Sequence, residues 1–150
     1  MAGKNASFSS NFLALVLNGT AMSPGGVAFA INATTSPATN LYVSLHTADP
    51  TAGNQGTSEI SYTGYARVAV ARTTSGWVVT SNSVSPVATI SWPTTPSTGV
   101  TTQAATYWAV GVASSGTGAV LWAGTFTPTP ITITNSVTPQ LTVASTIVEQ

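Results

Sequence analysis

Leu41-Tyr42-Val43-Ser44-Leu45-His46 decides the fold class. Leu41, Val43 and Leu45 fall on one face of an extended chain, and Tyr42, Ser44 and His46 fall on the other, which is the period of two that marks a strand with one face toward a core. Thr47-Ala48-Asp49-Pro50 ends it, because proline cannot continue the ladder and aspartate favours a turn. Working outward, the same short β-type pattern recurs at 27–31, 66–72, 77–80, 87–92, 106–113, 119–126, 131–134 and 140–148, with Pro, Gly, Ser or Asn between the runs. In 66–72, Ala66, Val68 and Val70 are expected to point inward, opposite Arg67, Ala69 and Ala71. Trp108, Val110 and Val112 form one later stripe, and Val120, Trp122 and Phe126 form another, joined by the hairpin loop 114–118. Eight or nine short strands with no helices between them predict an all-β fold. The expectation is an antiparallel β-sandwich, jelly-roll-like in class, with one short N-terminal helix.

That helix is read from Phe8, Phe12, Leu15 and Val16, which recur at helical spacing, with Ser7 placed to cap it and Asn18-Gly19 placed to stop it. At 150 residues the chain is expected to form a single domain, 1–150, in which 1–20 is a helical arm and 21–150 the sandwich. The helix either closes one end of the core or docks on a neighbouring subunit. Two longer irregular stretches, 47–64 and 93–102, are the first candidates for partner surface, since long loops in small domains tend to make contacts.

Charge is scarce. Hydrophobic residues make up 43% of the chain but charged residues only 4%, against a usual share of about 25%. Lys4, Arg67 and Arg72 balance Asp49, Glu59 and Glu149, whereas Ser and Thr together number 45, so hydroxyls supply most of the polar surface. Three cations make no basic field, and nucleic-acid binding is not expected. A near-neutral chain lacks the repulsion that keeps copies apart, which points to surface hidden in contacts. There is no cysteine for disulfides or thiolate metal sites, and no apolar run long enough to span a membrane.

Catalytic groups are equally thin. The single histidine, His46, has only Asp49 near it in sequence, and no G-x-S-x-G elbow accompanies it. Asp49 and Glu59 are the one carboxylate pair that could serve a glycosidase, which requires them roughly 5–9 Å apart. Loop carboxylates more often meet cations, here Arg67 or Arg72. Calcium would find few oxygen ligands, and glycosylation sequons such as 18–20 arise by chance in a chain so rich in Ser and Thr. The expectation is a non-enzymatic protein with no cofactor and no metal.

The stretches Leu41 to Pro50 and Glu59-Ile60-Ser61-Tyr62-Thr63-Gly64-Tyr65-Ala66-Arg67-Val68-Ala69-Val70, with Gly19-Thr20-Ala21 after the helix and a late aromatic strand at Tyr107 to Val112, resemble small tailed-phage virion proteins often labelled tail-fibre-like. Residues 25–40 have no counterpart in that resemblance. It implies a virion protein made in the bacterial cytoplasm. Size, strand pattern and low charge are also similar to jelly-roll capsid cement, or decoration, proteins. The leading expectation is therefore a cement protein on the capsid exterior, bound across the major capsid protein and forming a homo-oligomer, with a dimer favoured. The alternative is a tail or tail-fibre-associated protein attaching to a host-surface glycan through a groove of Tyr62, Tyr65 or Trp77. Candidate partner contacts are Phe8, Phe12, Asp49, Glu59, Tyr62, Tyr65 and Arg67. An Arg67 pairing with Asp49 or Glu59 would fix the long loop in place.

Overall fold

In the computed structural model, residues 4–26, 31, 32, 34, 37–126 and 130–149 are described. The first element is helix α1, Ala6–Asn18, and its ends follow local chemistry. Asn5 in extended conformation caps it, its side-chain oxygen accepting the Ser7 N–H at 2.9 Å. The cap is thus two residues earlier than the Ser7 expected, and Ser7 lies in the first turn. Gly19 ends the helix in the left-handed region (φ 66°), as a C-terminal glycine does, its N–H returning to the Ala14 carbonyl. The buried face is Ser9, Leu13 and Leu17, one residue every fourth position. Phe8, Phe12, Leu15 and Val16, the predicted inner face, are half-buried, because the helix is rotated to set Leu13 and Leu17 fully out of solvent.

Eleven strands follow among the described residues. They are β1 (Asn40–His46), β2 (Val68–Ala71), β3 (Trp77–Thr80), β4 (Ser83–Pro86), β5 (Ile90–Ser91), β6 (Gln103–Ala105), β7 (Tyr107–Gly111), β8 (Val120–Thr125), β9 (Ile131–Ile133), β10 (Gln140–Leu141) and β11 (Ile147–Val148). The pairs β1/β7, β7/β8, β3/β4, β4/β11, β5/β10 and β6/β9 are antiparallel. The fold is all-β with one N-terminal α-helix, consistent with a β-sandwich as the sequence predicts. No helix among the described residues is long and apolar enough to cross a membrane.

The chain divides into two compact units whose segments interleave along the sequence. Unit 1 takes in residues 1–40, 71–89 and 142–150, and unit 2 takes in 41–70 and 90–141. In unit 1, α1 packs on β3 and β4 of the three-stranded sheet β11-β4-β3. Leu13, Leu17, Met22, Trp77, Val84 and Ile147 form its core. Arg72 supports this unit from the C-terminal end of the helix. Its guanidinium donates to the carbonyls of Val16 at 2.5 Å and Leu15 at 2.6 Å, and to Asn32 Oδ1 at 2.7 Å.

Unit 2 is built around the sheet β2-β1-β7-β8, with the two-stranded ladders β10-β5 and β6-β9. Register places Val43 opposite Val110 and Leu45 opposite Trp108. β1 is buried on both faces at its end, since Ser44 and His46 are as fully enclosed as Val43 and Leu45. The Trp92 indole N–H closes one flank by donating to the Val43 carbonyl at 3.2 Å.

Several predicted elements change. Residues 27–30 of the expected first strand lie outside the described residues, and Ile31 is outside any strand and exposed. The expected strand 66–72 begins at Val68, with Ala66 exposed and Arg67 buried, because the Arg67 guanidinium is drawn inward by Glu59. The stripe 108–110–112 stops at Val110. The register shifts between Val110 and Gly111, the last residue of β7, and Val112 beyond it is exposed. Val120, Trp122 and Phe126 are half-buried rather than core, since β8 lies at the edge of its sheet. The run 140–148 splits at a turn, in which Ser145 N–H meets the Thr142 carbonyl, into β10 of unit 2 and β11 of unit 1. The expected strand 87–92 shortens to β5, and β4 and β6 arise where no strand is predicted.

Candidate functional site

The chemistry of unit 2 is concentrated where the loop after β1 folds back along the sheet. Thr47 N–H donates to the Ser58 carbonyl at 2.8 Å and Ile60 N–H to the Leu45 carbonyl at 2.9 Å, so the far limb of the loop continues the ladder with a bridge between His46 and Glu59. Ile60 is thereby buried. Glu59 then faces Arg67, and the two form a bidentate pair, Nε to Oε1 at 2.7 Å and Nη2 to Oε2 at 2.7 Å. The rest of the guanidinium donates to the carbonyls of Ala113 at 2.9 Å and Gly116 at 2.7 Å, which ties the β7–β8 hairpin loop to the same point. Arg67 is only 8% exposed. The hydrogen bonds it donates to Glu59 hold its pKa above the ordinary arginine value, so it is a fixed cation.

Gln55 supplies a second tie. Fully buried, it donates from Nε2 to the Tyr42 carbonyl at 3.2 Å and accepts the Ala113 N–H at Oε1 at 2.9 Å, and its own N–H reaches the Gly118 carbonyl at 2.8 Å. The amide lies over Gly111 and Gly118. A Cβ on the former would stand 2.1 Å from Gln55 Cδ, and one on the latter 2.4 Å from Oε1, so both positions require glycine for close approach. His46 is the third. Its Nδ1–H donates to the Thr57 carbonyl at 2.9 Å, leaving Nε2 to accept from the Ser44 hydroxyl at 2.8 Å. Burial depresses its pKa, offset in part by the Thr57 bond and by Glu59.

Tyr65 accepts the Leu45 N–H at its hydroxyl at 3.0 Å and meets Tyr62 edge-on with ring centroids 5.3 Å apart. Burial, followed by neighbouring Glu59, raises the Tyr65 pKa, so its phenol stays protonated. Tyr62 donates to the Pro93 carbonyl at 2.6 Å and so reaches the second long loop. That loop is laced to 134–137. Thr95 Oγ1 donates to the Thr134 carbonyl and accepts the Val137 N–H, Ser136 N–H meets the Pro96 carbonyl, and Val100 N–H meets Asn135 Oδ1. Gln103 clasps Ser61 from both sides, Nε2 to its carbonyl at 2.6 Å and Oε1 from its N–H at 3.4 Å.

Between these pinned loops lies an open cleft of about 270 Å³. Ser61, Tyr62 and Thr63 form one wall, and Pro96, Thr98 and Thr101 the other. A smaller depression of about 130 Å³ sits over Glu59, Tyr65, Arg67 and the hairpin loop, where the charges already satisfy each other.

Of the seven predicted contact residues, the fold gathers Glu59, Tyr62, Tyr65 and Arg67 on this part of unit 2. Asp49 is exposed and accepts the Thr51 N–H at 2.9 Å, which keeps its carboxyl below the usual range. Arg67 therefore pairs with Glu59 and not Asp49. Phe8 and Phe12 lie half-buried on α1 of unit 1, with the Lys4 ammonium 5.8 Å from the Phe12 ring centroid. Trp77 lines no groove, because it is a core residue of unit 1 at 1% exposure. Gln55, Thr95 and Gln103 escape the sequence reading. The one available signal for Gln55 is a glycine beside each end of the β7–β8 hairpin loop. No group of three His, Asp or Glu side chains among the described residues is placed to hold a metal ion.

A search of curated proteins finds no match. A protein-family model described as podophage GP4 fiber I protein gp80 matches residues 25–149. The match takes in both long loops, the cleft and the Glu59–Arg67 pair, and it includes 25–40, for which the tail-fibre-like resemblance offers no counterpart. The chain is a phage virion structural protein and belongs to the podophage GP4 fiber I protein gp80 family.

Proposed function

We propose that the chain is a structural, non-enzymatic subunit of the phage tail fibre and not a cement on the head shell, with neighbouring fibre subunits in place of the major capsid protein as its partners. The observation that carries this reading is the fiber I family match over residues 25–149. The features that favoured cement fit a fibre equally well. Scarce charge, a hydroxyl surface and short antiparallel strands suit any chain packed densely among copies of itself. The internal engagement of Glu59 and Arg67 supports a scaffold role, since their pairing leaves neither group poised for proton transfer.

Immunogold labelling of intact particles with antibody against this chain, followed by cryo-electron microscopy to place it in density, tests the assignment. Label on the fibres or tail is the expected outcome. Copies distributed over the icosahedral shell overturn it and return the capsid-cement reading.

A further inference from the structure

We infer that the cleft between the two long loops of unit 2 is a binding site for an uncharged saccharide. The inference deepens the fibre reading and rests on it for its biological purpose. Three observations carry it. First, both walls are held rigid from behind: Gln103 clasps Ser61, the Tyr62 hydroxyl is anchored on the Pro93 carbonyl, and Asn135 holds Val100. Loops fixed in advance lose little entropy on binding, which is what a small polar ligand needs.

Second, the side-chain hydroxyls of Ser61, Thr63, Thr98 and Thr101 are exposed and make no hydrogen bond among the described residues, although they border the cleft. The hydroxyls of Thr95 and Thr106, by contrast, are spent on the carbonyls of Thr134 and Thr47. Four free groups that each donate and accept match the alternating donors and acceptors of a sugar ring. The Tyr62 ring adds an aromatic surface for the C–H face of such a ring, whose weakly positive hydrogens favour the negative face of a π-system.

Third, no charged side chain among the described residues lines the cleft. A phosphate, sialate or uronate would lose hydration there with no cation to replace it. Uncharged oligosaccharide bears no such cost. The volume, about 270 Å³, lies just below the usual range of ligand clefts, about 300–1,000 Å³, which fits one or two sugar rings and a Kd on the order of 1 mM.

The test is a ¹⁵N NMR titration of the purified full chain with maltotriose, mannotriose, chitotriose, lactose and 3′-sialyllactose. Binding by at least one neutral sugar is expected, with shifts clustered at 61–63 and 96–101. The double variant Thr98→Val, Thr101→Val, which keeps side-chain volume, should weaken it at least tenfold. No response to any neutral sugar at tens of millimolar overturns the inference, as do shifts confined elsewhere, unchanged affinity in the double variant, or sialyllactose binding as well as lactose. Failure here with label on the fibres defeats the cleft alone, whereas saccharide binding by a chain found on the head defeats the fibre reading alone.

Discussion

Each of the two units is organised around one arginine, and the two arginines are neutralised differently. In unit 1, Arg72 meets no carboxylate among the described residues; it donates to the carbonyls of Leu15 and Val16 at the negative end of α1 and to the Asn32 side-chain oxygen. In unit 2, Arg67 is held by both oxygens of Glu59 and spends its remaining donors on the hairpin-loop carbonyls. With so few charges in the chain, each of these arginines is an internal fastener. The difference lies in what remains when the cation is removed. Unit 1 would be left with partial charges at a helix end, unit 2 with a full carboxylate.

Arg67→Ala is therefore expected to do the most damage, about 3–5 kcal/mol, because it strands Glu59 and two carbonyls in a site the arginine itself had kept nearly dry. Urea unfolding of the variant measures this. The double variant Arg67→Ala, Glu59→Ala should recover part of the loss, and a double variant no better than the single one would contradict the pairing argument. Arg72→Ala should cost less, roughly 2 kcal/mol, since half-exposed helix-end carbonyls can turn to water. Hydrogen exchange should show the helix fraying at Leu15 to Asn18 while β7 keeps its protection. Equal losses in the two variants would erase the distinction between the units.

Gly118→Ala probes the same comparison through packing. Its new Cβ would fall 2.4 Å from both Gln55 Oε1 and Ala113 Cβ, so the amide must leave its slot and release the loop. A loss of about 1–3 kcal/mol is expected, with exchange increased in 53–58 and unit 1 unaffected. The helix end at Gly19 would not be disturbed. A variant as stable as the parent would show that Gln55 is not the pin.

How much of this was readable follows from range. The alternation in Leu41 to Leu45 gives β1 because local period and burial agree, and Asn18-Gly19 gives the end of α1 because capping is local. Local reasoning fails where a distant partner decides. Arg67 reads as an outward residue until Glu59 and the hairpin carbonyls draw it in. β6 carries too few apolar residues to show a period, and its existence depends on pairing with β9. The cleft is less legible still, since its first wall is tied to the second loop by residues far apart in sequence, Tyr62 to Pro93 and Ser61 to Gln103, and a free hydroxyl among 45 Ser and Thr residues carries no sequence mark.

The smallest effect should separate the units by pH. His46 is the only histidine and belongs to unit 2, where Glu59 and Arg67 are the charged groups that act on it. Burial lowers its folded pKa below the unfolded value of about 6.5. In the interval between the two values the unfolded chain binds more protons, so the stability contributed by neutral His46 is complete above about pH 6.5 and is lost as pH falls through the folded pKa. Lowering pH from about 7.5 to about 5.5 should therefore speed exchange, after correction for intrinsic rates, at Thr47 and Ile60, whose amides hold the loop against β1. The amides of β3 and α1 should keep their protection. His46→Gln should flatten the pH response while lowering stability throughout. If unit 1 loosened in step with unit 2, or the variant kept the full response, the acid sensitivity would have to come from the carboxylates, and the buried imidazole would be a passive part of the core.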